Sequence, residues 1–215
     1  DSRRVQTPGS VRRDLRMNFD ALARWDAEMY RSIHQEFRRD WLDPLFVLVT
    51  DTGLGQVQLA VLIGFMVWRK SRGVAIAAFA AGAFTGLVRL AIMQYVGRMR
   101  PSNFEFAQPL EDVFGRSSFP SGHASTSFAI AFMVALLFKG TERAWIGWLV
   151  SLWACLVGFS RVYVGVHYPL DIVGAAGLAL CVASAVYLFW LRQGWWSVPA
   201  LDADPSLETS RTSAV

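Results

Sequence analysis

Apolar residues in this chain fall into long blocks broken by short clusters of basic and turn-forming residues. The blocks run from Leu54 to Trp68, Val74 to Val96, His123 to Phe138, Ala144 to Phe159 and Leu170 to Leu191. A helix needs about 20 such residues to cross a hydrocarbon core of roughly 30 Å, so the pattern predicts an all-α membrane bundle of about five spans. The first span is the least clean, because Leu45 to Val49 are followed by Thr50, Asp51, Thr52 and Gly53. That polar group reads as the cap of a helix that crosses afterwards, with Asp51 or Thr52 taking the exposed amides. Arg69, Lys70 and Arg72 stop it.

Ahead of the spans a different period appears. Leu15, Phe19, Leu22, Met29, Ile33, Phe37 and Trp41 form an apolar stripe, with Arg24, Arg31, Arg38 and Arg39 among the residues between. This predicts an amphipathic helix too polar to span, lying flat at the membrane surface or packed on a partner. Residues 1–13 are polar and Arg-rich and are expected to be disordered. The organisation expected is a polar tail with an interfacial helix over 1–43, a membrane domain over 44–192 and a C-terminal tail over 193–215. The first 40 residues contain no hydrophobic core segment, so no cleavable leader is expected.

Composition supports the membrane reading: 53% of the 215 residues are hydrophobic and the mean hydropathy is +0.32. A net charge of +4 could suggest nucleic acid, but the basic residues sit in the tail and at block ends, where topology and lipid head groups place them. No nucleic-acid partner is expected. Cys155 and Cys181 lie inside apolar blocks without metal-ligand spacing and read as packing residues.

With five spans, the loops 97–122 and 160–169 share one face, and the unusual polar residues lie in or beside them. The short loops Arg69–Arg72 and Lys139–Arg143 face the other side, where Trp68, Trp145, Trp148, Trp190, Trp195 and Trp196 form an interfacial belt. Positive-inside reasoning makes that second side cytoplasmic and leans the polar face outward; the Arg-rich tail argues the other way. The location expected is the cell (inner) membrane.

Three segments on the polar face carry the chemistry: Gly97-Arg98-Met99-Arg100-Pro101, Pro120-Ser121-Gly122-His123, and Ser160-Arg161 followed by His167 and Asp171. Ser121 is a natural N-cap, and the helix it opens aims the amides of Gly122 and His123 outward, as anion sites require. Pro169 suits a first helical turn, which leaves His167 just outside the helix and Asp171 within it. Asp171 can then hold one ring nitrogen of His167 and leave the other free as a nucleophile. Arg100 and Arg161 supply forked donors for phosphoryl oxygens. His34 falls in the tail, where a solvated surface role is expected.

These residues resemble the type 2 phosphatidic acid phosphatase superfamily, which includes membrane lipid phosphatases and soluble vanadium haloperoxidases. Its third signature is reproduced by Ser160, Arg161, His167 and Asp171, and its second by Pro120, Ser121, Gly122 and His123. The first departs: the family's Lys, seven residues before the Arg of Arg-Pro, is Met93 here. Arg89, Gln94 and Arg98 are the candidates to replace it; the alternative is a site short of one charge. The resemblance implies an integral membrane enzyme that hydrolyses a lipid phosphate or diphosphate of the undecaprenyl diphosphate, phosphatidic acid or phosphatidylglycerol phosphate type. His167 would attack phosphorus and form a phosphohistidine, with His123 as acid and then base, and Arg100, Arg161, Ser121 and Gly122 would hold the oxygens. No metal and no cofactor is implied. A lipid-to-lipid phosphotransferase and a non-catalytic lipid-binding relative are the alternatives. In loop 102–118, Phe104, Phe106, Leu110, Val113 and Phe114 are candidates for an apolar gate or for packing on the bundle.

Overall fold

The computed structural model describes residues 8–112, 115 and 117–194, with side chains from residue 18 onward. Seven α-helices follow one another: α1 (Pro8–Arg31), α2 (Asp43–Thr52), α3 (Gly55–Val67), α4 (Arg72–Val96), α5 (Gly122–Phe138), α6 (Ala144–Tyr163) and α7 (Pro169–Arg192). A π-helical turn, Ser32–Glu36, extends α1, and a 3-10 turn, Pro101–Asn103, follows α4. Among the described residues there is no strand; a lone bridge pairs Met99 with Ser117.

The four later blocks emerge as helices within a few residues of their expected ends. The helices α4, α6 and α7 are each long and apolar enough to cross a membrane. The first span differs from its expectation. The helices α2 and α3 meet the apolar criterion only as a pair, and they are bent by 58° where Gly53 and Leu54 part them. Neither Asp51 nor Thr52 caps α3, whose N-cap position is Leu54. The Thr52 hydroxyl instead donates back to the Val49 carbonyl (2.7 Å) and accepts from the Trp153 indole (2.9 Å). Thr50 and Thr52 found partners in their own turn or across the bundle, so the break is a hinge between two helices rather than a single start.

The helix α5 is 17 residues long, a rise of roughly 25 Å at the ordinary pitch, which is short for a lipid-facing span. It sits centrally against α4, α6 and α7, so protein rather than lipid surrounds it. Small residues line these seams: Ala75, Ala77, Ala78 and Ala81 on α4, Ala124, Ala129 and Ala131 on α5, Ala154 on α6, and Ala175, Ala179 and Ala183 on α7 are all buried. Without a hydrophobic force between helices in lipid, such close backbone approach is what holds them together. Cys155 and Cys181 are exposed, so they face outward and do not pack in the core as expected.

The N-terminal helix begins at Pro8, inside the segment expected to be disordered; residues 1–7 lie outside the described residues. Part of its apolar stripe, Phe19, Leu22, Met29 and Trp41, is exposed and available to the membrane surface, while Ile33 packs on the cluster of Tyr163, Val164 and Val166 and Phe37 meets Phe159 and Tyr163 edge-on. Asp26, Tyr30 and His34, spaced by four residues along the flank of that stripe, are buried against the protein.

One end of the bundle gathers α1 and the two polar loops. Gln35 donates to the Phe106 carbonyl (3.1 Å), the Leu110 amide to that of Val164 (3.0 Å), and the Ser121 amide to that of Asp171 (3.3 Å). Lys70, Ser71, Phe138 and Arg143 lie together at the other end. They rim an apolar groove of about 710 Å³ between α3, α4, α5 and α6, which runs up to Thr52 and Trp153. Trp68, Trp145 and Trp148 are exposed; Trp195 and Trp196 lie outside the described residues.

Candidate active site

The segment from Ser160 to His167 is buried throughout. It ends α6 and turns sharply at Gly165, whose φ of +86° is the left-handed region that suits glycine. A side chain there would also meet the His34 ring at 2.5 Å. Contrary to the surface role expected of it, His34 is buried and its Nδ1 lies 2.7 Å from the Tyr163 carbonyl. Burial lowers its pKa, so the ring is neutral and Nδ1–H is the donor.

This turn delivers His167 to Asp171. The His167 Nδ1 is 3.4 Å from Asp171 Oδ2, and its Nε2 is 3.1 Å from Arg100 Nη1. A guanidinium can only donate, so Nε2 carries the lone pair and Nδ1 carries the proton. Burial, with the Arg100 and Arg161 charges, pushes the His167 pKa down to about 4 against the opposing pull of Asp171. The ring is therefore a neutral imidazole with its free nitrogen turned toward the arginines.

Asp171 is fixed from several sides. Its Oδ2 accepts the Tyr168 amide at 2.9 Å and its Oδ1 accepts Arg98 Nη1 at 2.7 Å. Arg98 also pairs with Asp26, and its guanidinium lies 4.4 Å from the centre of the Tyr168 ring. Arg98 thus serves the carboxylates and does not stand in for the missing Lys. Gln94 is exposed and does not replace it either.

The donors for an anion come from four elements. Arg100 and Arg161 are buried, as is Ser121, and the Nε atoms of both arginines and the Ser121 hydroxyl have no hydrogen-bond partner. Buried donors are ordinarily paired, so three orphans on three segments mark a place built for acceptor oxygens. Burial, with Arg161 and Arg89 nearby, draws the Arg100 pKa down to about 10, which leaves it charged at neutral pH. Ser121 holds the N-cap position of α5, but its hydroxyl caps no amide; that expectation is corrected, and the amides of the first turn stay exposed to a ligand. Arg89 reaches this place from α4: its Nε donates to the Pro120 carbonyl (3.0 Å), its Nη2 lies 3.4 Å from the Met93 sulfur, and its Cζ would be 3.1 Å from a Cβ on Gly122. His123, in the first turn of α5, lies within electrostatic reach of Arg161, His167, Arg100 and Arg89.

The structure therefore brings together all eight residues singled out from the sequence. It adds others. Glu111 holds Arg161 Nη1 through both carboxylate oxygens (3.0 and 2.9 Å), and the Thr50 hydroxyl accepts from the same nitrogen. Nothing in the sequence marks Glu111, one of three acids in a long loop with Glu105 and Asp112. Asp26 had only a weak signal: with Tyr30 and His34 it recurs at every fourth position, along the flank of the apolar stripe. Of the candidate gate residues, Phe104 and Phe106 stack at 5.4 Å, Leu110 packs against Tyr163, Val164 and Val166, and Val113 and Phe114 lie outside the described residues.

Comparison with known proteins agrees with this geometry. The chain is 47% identical over 74 residues to the bacitracin transport permease protein BcrC of Bacillus licheniformis, a match covering 34% of this chain and 33% of that protein. It is 27% identical over 167 residues to the undecaprenyl-diphosphatase BcrC of Bacillus subtilis, covering 75% and 82% of the two chains. A crystal structure of a transmembrane PAP2 type phosphatidylglycerolphosphate phosphatase from Bacillus subtilis superimposes with a TM-score of 0.68 at 24% identity, over 80% of this chain and 87% of that one. The match with the PAP2 superfamily covers residues 73–195, more than half of the sequence and every signature segment, so this integral membrane protein belongs to the PAP2 superfamily.

Proposed function

We propose that the protein is a lipid phosphatase that hydrolyses a phosphate ester or diphosphate at the membrane surface through a phosphohistidine on His167. The observation that carries this reading is the fixed tautomer of His167, with Nδ1–H toward Asp171 and the lone pair of Nε2 in the arginine-lined space. In-line attack by Nε2 forms the nitrogen–phosphorus bond as the bond to the leaving oxygen breaks. His123 gives that oxygen a proton, then takes one from the water that cleaves the phosphohistidine. The orphan donors of Arg100, Arg161 and Ser121, with the first amides of α5, suit the equatorial oxygens, whose charge grows in the transition state.

Arg89 is the third cation, taking the place of the family's Lys. It approaches from one helical turn deeper than Met93, whose thioether packs against its Nη2. Phosphate displaces the Glu111 carboxylate from Arg161 as it binds. The lipid tail fits the apolar groove that starts at Thr52, two residues from Thr50 on Arg161.

An undecaprenyl diphosphate type of substrate is the leading reading, supported by the similarity to an undecaprenyl-diphosphatase over 82% of that relative's length; phosphatidic acid or phosphatidylglycerol phosphate comes next. The site faces the extracytoplasmic side of the cell membrane, which the Arg and Lys content of the opposite loops supports. The test is phosphate release by the purified protein in detergent, over undecaprenyl diphosphate, phosphatidic acid and phosphatidylglycerol phosphate, with EDTA present. Release from one of them that vanadate inhibits is expected. Absence of release from all three, with the protein folded, or strict dependence on added magnesium, would sink the reading.

A further inference from the structure

The N-terminal helix lies outside the segment that matches the family, yet it reaches the nucleophile in three steps. Asp26, fully buried on α1, pairs with Arg98; Arg98 pairs with Asp171, also fully buried; and Asp171 faces His167. The remaining oxygen of Asp26, Oδ1, accepts the Leu170 amide at 2.8 Å. This amide belongs to the first turn of α7, where backbone donors have no partner within the helix. Asp26 thus ties down both the guanidinium beside Asp171 and the helix end that carries Asp171.

We infer that Asp26 and Arg98 are a positioning pair for His167, so that α1 completes the site rather than merely anchoring the chain at the membrane. The inference rests on the phosphatase reading above. One guanidinium shared between two carboxylates leaves a net negative charge on the pair. Were Arg98 bound to Asp171 alone, its positive charge would neutralise the acceptor of the His167 proton and weaken support for the imidazolium-like charge that grows as Nε2 bonds to phosphorus. Asp26 draws part of that positive charge away. The fork of Arg98 also fixes geometry: with Oδ1 on Arg98 and Oδ2 on the Tyr168 amide, the carboxylate plane is set and Oδ2 is aimed at Nδ1. Lysine has the charge without the fork. Neither residue touches the phosphate donors, so substrate binding should not sense them.

The experiment compares wild type, Asp26→Asn, Arg98→Lys, Arg98→Gln and the Asp26→Asn/Arg98→Gln double variant on undecaprenyl diphosphate, phosphatidic acid and phosphatidylglycerol phosphate in detergent. It follows steady-state kinetics and rapid-quench trapping of phosphohistidine. Asp26→Asn keeps an oxygen for the Leu170 amide and removes only the charge. Both Asp26→Asn and Arg98→Lys are expected to lower kcat and the rate of phosphoenzyme formation about tenfold or more, the usual scale for misaligning a supported catalytic group, with KM within twofold. The double variant should lose no more than Arg98→Gln alone, because Asp26 acts through Arg98. Unchanged kcat in a folded Asp26→Asn or Arg98→Lys protein overturns the inference, as does a rise in KM alone or losses that simply add. Arg98→Lys decides the matter if Asp26→Asn does not fold. If wild type releases no phosphate, the phosphatase reading itself falls; if wild type is active and the variants match it, only the positioning pair falls.

Discussion

The two polar loops that make the site are built in opposite ways. From Ser160 to His167 the chain is short and wholly buried, and it is fastened at nearly every residue: His34 lies on Gly165, Tyr30 donates to the Gly165 carbonyl, and Leu110 to that of Val164. Loop 97–121 is long and exposes Phe104 and Phe106; it is held at separate points, through Arg98 and Arg100 at its start and through Gln108, Leu110 and Glu111 further on. The first loop carries the nucleophile, whose misplacement by even about 1 Å can be very costly to rate. The second carries Glu111, a carboxylate sitting where an anion must come. Rigidity is thus concentrated at the attacking atom and adjustability at the entrance.

Substitutions can break or sharpen that contrast. The largest effect is expected at the rigid loop: His167→Ala should reduce phosphate release to background with the fold intact, as judged by thermal unfolding in detergent, and no acid-labile phosphate should be trapped. Phosphate trapped on His123 instead would reverse the two histidine roles. Next comes Arg89→Ala, expected to lower kcat/KM about a hundredfold, the scale of one lost transition-state donor. Met93→Lys should be neutral or harmful, since it sets a second cation against the first. A gain in activity from Met93→Lys would mean the site is short of a charge and Arg89 structural.

The pH profile comes third. His167 must be neutral to attack, and its lowered pKa means that protonation begins only as pH falls toward about 4. The acidic limb of kcat/KM should lie near there rather than near the ordinary histidine value of about 6.5. A limb at 6 to 7 would show that Asp171 outweighs burial and the charges of Arg100 and Arg161. The smallest effect belongs to the entrance. Glu111→Gln should lower KM about two- to fivefold, since a partly exposed ion pair is worth about 0.5–1 kcal/mol, and should leave kcat nearly unchanged. A collapse of kcat instead would place Glu111 in the chemistry.

What the sequence showed of this molecule follows from how local each signal was. Four apolar blocks stood out because span length and flanking charge are properties of the segment itself, and α4 to α7 begin and end within a few residues of the marks. His167 and Asp171 stood out because one helical turn brings them together. The hinge at Gly53 was misread, since Thr52 is claimed by Trp153, 101 residues away, and no local pattern records that. Ser121 was placed correctly at the head of α5 but given a capping bond that it does not make. The central position of α5 was invisible because its apolar sequence suits burial in protein as well as in lipid. Asp26 went unmarked and His34 read as solvated for a related reason: polar positions on the flank of an amphipathic stripe carry no local sign that another segment buries them.

The bond between Asp26 and the Leu170 amide has a consequence for biosynthesis. Its partners are 144 residues apart in the chain, so at ordinary elongation rates Asp26 is made roughly 7 to 30 s before its partner. During that interval α1 has finished but its docking surface is incomplete: Arg98 follows Asp26 by 72 residues and Leu170 by 144. Only when the last span is in place does the helix close over the turn at Gly165. A nascent chain that stops short of α7 therefore holds Arg98, Arg100 and Arg161 but lacks the Asp171 that faces His167.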